Sequence, residues 1–189
     1  QQIQGFFSIP MDELTALPLL AQHVKQKNLD LSNLVILSPD IGAAKRARDF
    51  AEELGIASQF ASINKRRDPQ TGKVAALKII GYVAGHDVLI LDEEINTGSS
   101  VIAAARAARR SHVKDMYVAC THAVFSGDFA RNLTRFPYKD IAVTDTLPLP
   151  PEKRLRGLSV VSIAPFLGDV IKCIHDGRSL GKMIGDKNA

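Results

Sequence analysis

The residues of this chain that can do chemistry are concentrated between positions 88 and 102, where adjacent carboxylates precede a loop rich in hydroxyl groups. Asp92 and Glu93 follow an apolar run, and the loop at 96–100 leads directly into an alanine-rich segment with helical periodicity. Backbone N–H groups and hydroxyls at the start of a helix favour an anion, because the dipole and the unpaired donors point at it. Nearby carboxylates can accept hydrogen bonds from a sugar diol or hold Mg²⁺ through water. The pattern therefore predicts a site for a phosphorylated sugar.

Two familiar phosphate-binding motifs do not match this stretch. No Gly-Lys-Ser/Thr follows the loop, and the three spaced glycines of the dinucleotide fingerprint are missing. A purely structural interpretation is also open, in which Asp92 and Glu93 end a strand and Ser99 or Ser100 caps a helix. The hydroxyl-rich loop at a strand-to-helix turn favours a binding site, since ligands of open α/β sheets bind beyond the carboxyl ends of the strands.

Composition narrows the classes of function. The 189 residues are 46% hydrophobic, enough for one core in a single domain. The net charge is +4, but the basic residues form separate groups and aromatic residues are only 6%, so nucleic acid is not an expected partner. No apolar run approaches the ~20 residues of a membrane span, so a membrane is not an expected partner either. Cys120 and Cys173 do not form a disulfide framework, which is typical of reduced thiols in a cytoplasmic protein.

Apolar runs alternate with helical patterns, which predicts an α/β fold with an open, mostly parallel sheet flanked by helices. At 42–54 the apolar positions share one helical stripe, and Gly55 ends the pattern. The predicted helices are 15–27, 42–54, 100–110 and 164–175. The predicted strands are 34–37, 59–64, 88–91, 116–121, 141–143 and 158–162, with an extended segment at 77–83 and a strand-like start at 3–10.

Other polar residues carry weaker signals. Three basic residues open a polar loop at 65–73, which by itself indicates a solvated hairpin. Asp40 follows a strand and by itself indicates a helix N-cap. Arg46 is expected on a solvated helix face, His122 as a structural hydrogen-bonding residue, and His23 at the surface or a helix end.

Several blocks of the sequence, in their order and spacing, resemble the ribose-phosphate pyrophosphokinase family, also called phosphoribosyl-pyrophosphate (PRPP) synthetases. The resemblance runs from residue 2 to about residue 180. The blocks are 2–7 (QIQGFF), 38–42 (SPDIG), 65–67 (KRR), 79–81 (IIG), 92–100 (DEEINTGSS), 121–122 with 124–127 (TH and VFSG) and 143–148 (VTDTLP).

The resemblance implies a type I phosphoribosyltransferase-like fold, with residues 1–189 as one domain, the C-terminal half of a two-domain protein. It implies transfer of the β,γ-diphosphate of ATP to the C1 hydroxyl of ribose 5-phosphate, giving PRPP and AMP for nucleotide biosynthesis. Mg²⁺ is the implied cofactor, and a homodimer or hexamer is the implied assembly. The chain by itself is expected to hold ribose 5-phosphate but to turn over little or no ATP.

The same resemblance assigns roles residue by residue. Asp92 and Glu93 would contact the ribose hydroxyls, and Asp40 would lie at a metal position. Lys65 matches a catalytic lysine and Arg67 a catalytic, substrate-contacting arginine, on a loop that would close over the diphosphate. The implied cradle for the 5-phosphate consists of Asn96, Thr97, Gly98, Ser99 and Ser100, with Gly98 at a close-approach position.

The chain departs from the family pattern at this loop. The family usually has Asp-Asp at Asp92-Glu93, Asp at Asn96, and Gly-Thr at Ser99-Ser100. Asn96 is the largest change, because a neutral amide loses charge-assisted hydrogen bonds of about 1.5–3 kcal/mol each, or roughly one to two orders of magnitude in rate. We expect a working but tuned synthetase. The alternatives are a non-catalytic, synthetase-associated regulatory subunit and a phosphoribosyltransferase that consumes PRPP, although nothing here resembles the base-binding hood of the latter.

Overall fold

The computed structural model describes residues 3–67 and 74–181, with side chains described for residues 5–64 and 78–181. The helices of this part are α1 (Leu17–Gln26), α2 (Ala44–Leu54), α3 (Ser99–Arg110), α4 (Phe129–Leu133) and α5 (Ala164–His175). The strands are β1 (Leu34–Ser38), β2 (Phe60–Arg67), β3 (Val74–Ile80), β4 (Asp87–Ile95), β5 (Met116–Ala123), β6 (Asp140–Thr144) and β7 (Leu158–Val161). In this part of the chain, no helix is long and apolar enough to cross a bilayer.

The strands form one sheet in the order β3-β2-β1-β4-β5-β6-β7. Every pair is parallel except β2 with β3, which is antiparallel. The chain moves from β1 outward to β2, then returns to place β4 on the other side of β1. Such a reversal opens a crevice at the carboxyl ends of the two strands, where ligands of open α/β sheets bind. The predicted mostly parallel sheet flanked by helices is confirmed.

Alternation along the strands builds two cores, one on each face of the sheet. On β1, Val35 and Leu37 join the core that α3 covers, whereas Leu34 and Ile36 join the core that α1 and α2 cover. These four residues are at most 3% exposed, so the apolar run of β1 is buried on both faces of the sheet.

Local signals explain the ends of the helices. Gly55 adopts a left-handed conformation with φ of 83° and ends α2, as the sequence predicted. Proline lies in the first turn of α5, where its missing N–H has no helical partner to lose, and Gly177 follows the end of that helix. All four predicted helices are present, to within two residues at each end.

Three local predictions are wrong. The apolar start is a 3₁₀ helix at Ile3–Phe6 rather than a strand, and Phe6 is 88% exposed. Residues 65–67 belong to β2 rather than to a loop, because β3 supplies an antiparallel partner for them. The short helix α4 has no counterpart among the predicted elements. The turn predicted within 68–73 lies outside the described residues.

Candidate functional site

The carboxyl ends of β1 and β4 meet at a cleft of about 280 Å³. Asp40 reaches it from the connection after β1, and Asp92 reaches it from within β4. The cleft is lined by acidic side chains on one side and by the hydroxyl-rich loop on the other: Asp40, Asp92, Glu94, Ile95, Asn96, Thr97, Gly98, Ser99, Ser100 and Val101. Seven of the predicted site residues therefore lie together at the predicted edge of the sheet.

The acidic residues lie inside β4 rather than after it, since the strand continues to Ile95. Alternation then sends Asp92 and Glu94 to one face and Glu93 to the other. Glu93 forms an ion pair with Arg46 of α2, so Arg46 is not on the solvated face that the sequence predicted. Glu94 is a cleft residue that the sequence analysis missed. Had the predicted strand been extended by four residues to Ile95, the alternation of side chains along it would have placed Glu94 on the same face as Asp92.

Residues 96–100, the phosphate loop, turn the chain from β4 into α3. Gly98 is the N-cap of α3 with φ of 76°, a conformation that a side chain would strain. Its carbonyl accepts from Ile102 N at 3.0 Å, which starts the helix. The Thr97 hydroxyl donates to the Ser99 hydroxyl over 3.2 Å. The first-turn N–H groups of α3 and three hydroxyls therefore face one end of the cleft, an arrangement that favours an anion.

Although Gly98 lines the cleft, a side chain at this position would point into the protein rather than into the cleft. A Cβ added at Gly98 would contact Leu133 of α4 at 3.4 Å, which is ordinary packing distance. The left-handed backbone is therefore the structural reason for glycine here. Close approach to a ligand stays a prediction.

Asp40 is not the N-cap that the sequence predicted, because Ala43 takes that position in α2. Its Oδ1 accepts from the Ala43 N–H over 3.0 Å, just before α2 begins at Ala44. The carboxylate nevertheless lines the cleft opposite the phosphate loop. Asp40 can therefore hold the turn before α2 and also contribute to the acidic side of the site.

The acidic side of the cleft suits a metal ion that is held partly by the protein and partly by a bound substrate. Asp40, Asp92 and Glu94 supply carboxylate oxygens, the donors that Mg²⁺ prefers. Among the described residues, however, no three His, Cys, Asp or Glu side chains are grouped as a complete protein metal site. Mg²⁺ commonly uses one or two carboxylates together with water and substrate phosphates, and the residues present fit that mode.

A second cleft of about 420 Å³ adjoins the first on the α2 side of β4. It is lined by Asp40, Gly42, Ala43, Arg46, Asp92, Glu93, Glu94 and His122. The Nδ1 of His122 is 2.9 Å from the Thr146 hydroxyl, so this histidine has the structural bond that the sequence predicted. His23 lies in the last turn of α1, the helix end that the sequence allowed for, and its Nε2 is 2.9 Å from an oxygen of Asp140.

Cys120 lies directly behind the acidic residues, paired with Asp92 across β4 and β5. Its thiol is buried and donates to the carbonyl of Glu93 at 3.3 Å. Burial, reinforced by the Asp92 carboxylate, raises the pKa of Cys120 to about 12. The thiol therefore stays protonated and does not act as a nucleophile at neutral pH.

Lys65 and Arg67 lie at the far end of β2, and their side chains lie outside the described residues. β2 is in register with the end of β1 at Ser62, opposite Ser38. Five further residues extend beyond that point, roughly 16 Å of strand. The β2–β3 hairpin thus projects past the edge of the sheet at which the cleft opens.

Comparison with known proteins shows similarity over nearly the whole chain. Residues 59–185 match the phosphoribosyl synthetase-associated domain family. The ribose-phosphate pyrophosphokinase of Aquifex aeolicus is 40% identical over 182 residues, which are 96% of this chain and 57% of that protein. That of Clostridium acetobutylicum is 36% identical over 98% of this chain and 57% of its own length. The crystal structure of the phosphoribosylpyrophosphate synthetase from Mycobacterium smegmatis superposes with a TM-score of 0.83 at 32% identity, over 93% of this chain and 56% of that one. The chain therefore spans little more than half the length of the relatives that it matches.

Proposed function

Because the chain belongs to the ribose-phosphate pyrophosphokinase (phosphoribosyl synthetase) family, we propose that it carries the ribose 5-phosphate site of an enzyme that makes PRPP. The reaction transfers the diphosphate of ATP to the C1 hydroxyl of ribose 5-phosphate and releases AMP. The observation that carries the proposal is the cleft in which the phosphate loop faces Asp92 and Glu94 at the point where the strand order reverses.

The two ends of the cleft suit the two ends of ribose 5-phosphate. The 5-phosphate lies against the N-terminus of α3, within reach of the hydroxyls of Thr97, Ser99 and Ser100. The hydroxyls of the sugar ring donate to the carboxylate of Asp92, with Glu94 on the same face of β4. Glu93 reaches the sugar from the adjoining cleft, where Arg46 holds its carboxylate. The C1 hydroxyl is then held toward the open edge of the sheet.

Positioning and charge stabilisation supply the catalysis of such a transfer, because the phosphoryl chemistry needs little covalent help from the protein. Lys65 and Arg67, on the projecting β2–β3 hairpin, would neutralise the diphosphate as it transfers. Mg²⁺, held by Asp40 together with the phosphates of ATP, would offset their negative charge. We further propose that this chain is the C-terminal half of a two-domain subunit of a homo-oligomer, and that the other half of the subunit binds most of the ATP.

The proposal is tested by measuring AMP formation from ATP in the presence of Mg²⁺. The protein assayed is a longer one that contains this chain and covers the full length of its relatives. AMP should form only when ribose 5-phosphate is present, and ribose should not replace it. AMP formation that is independent of the sugar phosphate, or none at all, would contradict the proposal.

One observation favours a second candidate, a non-catalytic subunit associated with a synthetase. Asn96 replaces the carboxylate that the family usually has, and its side-chain oxygen accepts from the Ser126 hydroxyl. In that case ribose 5-phosphate would bind while the AMP assay stayed negative.

A further inference from the structure

Residues 125–133, which we call the brace, pack against the phosphate loop on the side away from the cleft. Phe125 is buried with φ of 47°, an uncommon conformation for a bulky residue. Its ring stacks on Phe129 of α4 with centroids 4.6 Å apart and planes 7° apart. Leu133, at the end of α4, is fully buried beside Gly98. The brace is therefore a packed unit rather than a loose connection.

Three successive carbonyl groups before α3 accept hydrogen bonds from the brace. Phe125 N donates to the Ile95 carbonyl and Ser126 N to the Asn96 carbonyl, each over 3.0 Å. Asn132 Nδ2 donates to the Thr97 carbonyl over 2.8 Å. In a trans peptide the carbonyl and the following N–H point to opposite sides. Binding these carbonyls to the brace therefore turns the N–H groups of Thr97 and Gly98 away from it, toward the cleft.

The peptide between Thr97 and Gly98 is the one that most needs such a restraint. Glycine rotates freely, so this peptide can flip at little cost and present its carbonyl, rather than its N–H, to the cleft. A carbonyl oxygen there would repel a phosphate. Asn132 holds this carbonyl with a side chain, whereas the other two carbonyls are held by backbone groups.

We propose that Asn132 is a positioning residue that keeps the phosphate loop in its anion-binding orientation from the far side of the loop. Asn132 is not among the residues that line the cleft, and it acts through the Thr97–Gly98 peptide. The proposal deepens the function proposed above and rests on it for the identity of the anion.

The experiment compares the unmodified chain with Asn132→Leu, which keeps the approximate size of the side chain and removes the donor. Asn132→Ala serves as the second variant if the larger apolar side chain impairs folding. The matched control is Thr134→Ala, which loses a 2.7 Å bond to the Ala130 carbonyl in the same helix but leaves Asn132 intact. NMR relaxation dispersion at Gly98 and Ser99 reports flipping of the loop without any ligand, and inorganic phosphate titrated by NMR reports anion affinity.

Loss of the Asn132 bond should produce relaxation dispersion at Gly98 and Ser99 and weaken phosphate binding by about fivefold. Thr134→Ala should change neither, even if it lowers Tm by a similar amount. Relaxation dispersion that is unchanged in both Asn132 variants, or increased with unchanged phosphate affinity, would overturn the proposal. Increased dispersion in the Asn132 variants together with no phosphate binding by the unmodified chain would support the brace and instead refute the proposed function.

Discussion

Replacing Asn96 by aspartate should make a synthetase that contains this chain faster. In the structure the side-chain oxygen of Asn96 accepts from the Ser126 hydroxyl. A carboxylate can keep that bond with one oxygen and present the other to the cleft that Asp40 and Asp92 also line. The substitution therefore adds an acceptor with charge without removing the contact that fixes the side chain.

The size of the effect follows from the difference between charged and neutral hydrogen bonds. A bond to a charged group contributes about 1.5–3 kcal/mol and a neutral one about 0.5–1.5 kcal/mol, so the gain is about 1–1.5 kcal/mol. If the whole gain appears in the transition state, turnover rises about five- to tenfold. Repulsion from Asp92 opposes this gain, and a bound Mg²⁺ offsets that repulsion.

The assay is AMP formation at saturating ATP, Mg²⁺ and ribose 5-phosphate, with Asn28→Asp as the control. Asn28 is an exposed asparagine just after α1, before β1 begins and so at the opposite edge of the sheet, and its substitution changes the net charge equally. Asn28→Asp should leave turnover unchanged. Turnover that is unchanged or lower in Asn96→Asp would refute the reasoning, because it would mean that the amide is not what limits this site.

Three further predictions concern single residues near the ends of the strands. Gly98→Ala should lower the free energy of unfolding by about 1–2 kcal/mol in chemical denaturation, because φ at this position is 76°; an unchanged free energy of unfolding would contradict this. Cys120 should react with iodoacetamide at pH 8 about a thousandfold more slowly than an ordinary thiol of pKa 9.0, since its pKa is raised to about 12. Mass spectrometry of the labelled chain before and after unfolding measures the labelling rate of Cys120. Hydrogen bonds from Ser162 and from the N–H of Ile163 hold the pKa of Asp145 below its usual 3.8, so the charge stabilises the fold above about pH 4 and this contribution is lost as the pH falls further. Asp145→Asn should therefore lower Tm by more at pH 7 than at pH 3, and an equal loss at both values would refute the assignment.

The sequence predicts the parts of this fold that depend on local signals. The bounds of α5 match the prediction at both ends, because a proline in its first turn and a glycine after its last mark them. The strand-to-helix turn of the phosphate loop was likewise visible, because β4 is apolar before Asp92 and α3 is rich in alanine.

The parts that depend on distant partners could not be predicted in this way. Residues 65–67 look like a loop until β3 pairs with them, and α4 has only five residues, too few to show a helical period. Arg46 and Glu93 are 47 residues apart, so nothing local indicates their ion pair. The pairing of Asp92 with Glu94 rather than Glu93 required knowing that β4 continues through the acidic residues.

The role of the cleft as a sugar-phosphate site is tested by a calorimetric titration of this chain with ribose 5-phosphate, with and without Mg²⁺, and with ribose as the control. We expect saturable binding that requires the 5-phosphate and is lost in Ser100→Ala and in Asp92→Ala, which remove one group from each end of the cleft. Equal heats from ribose and ribose 5-phosphate, or binding that survives both substitutions, would contradict the assignment of the phosphate loop.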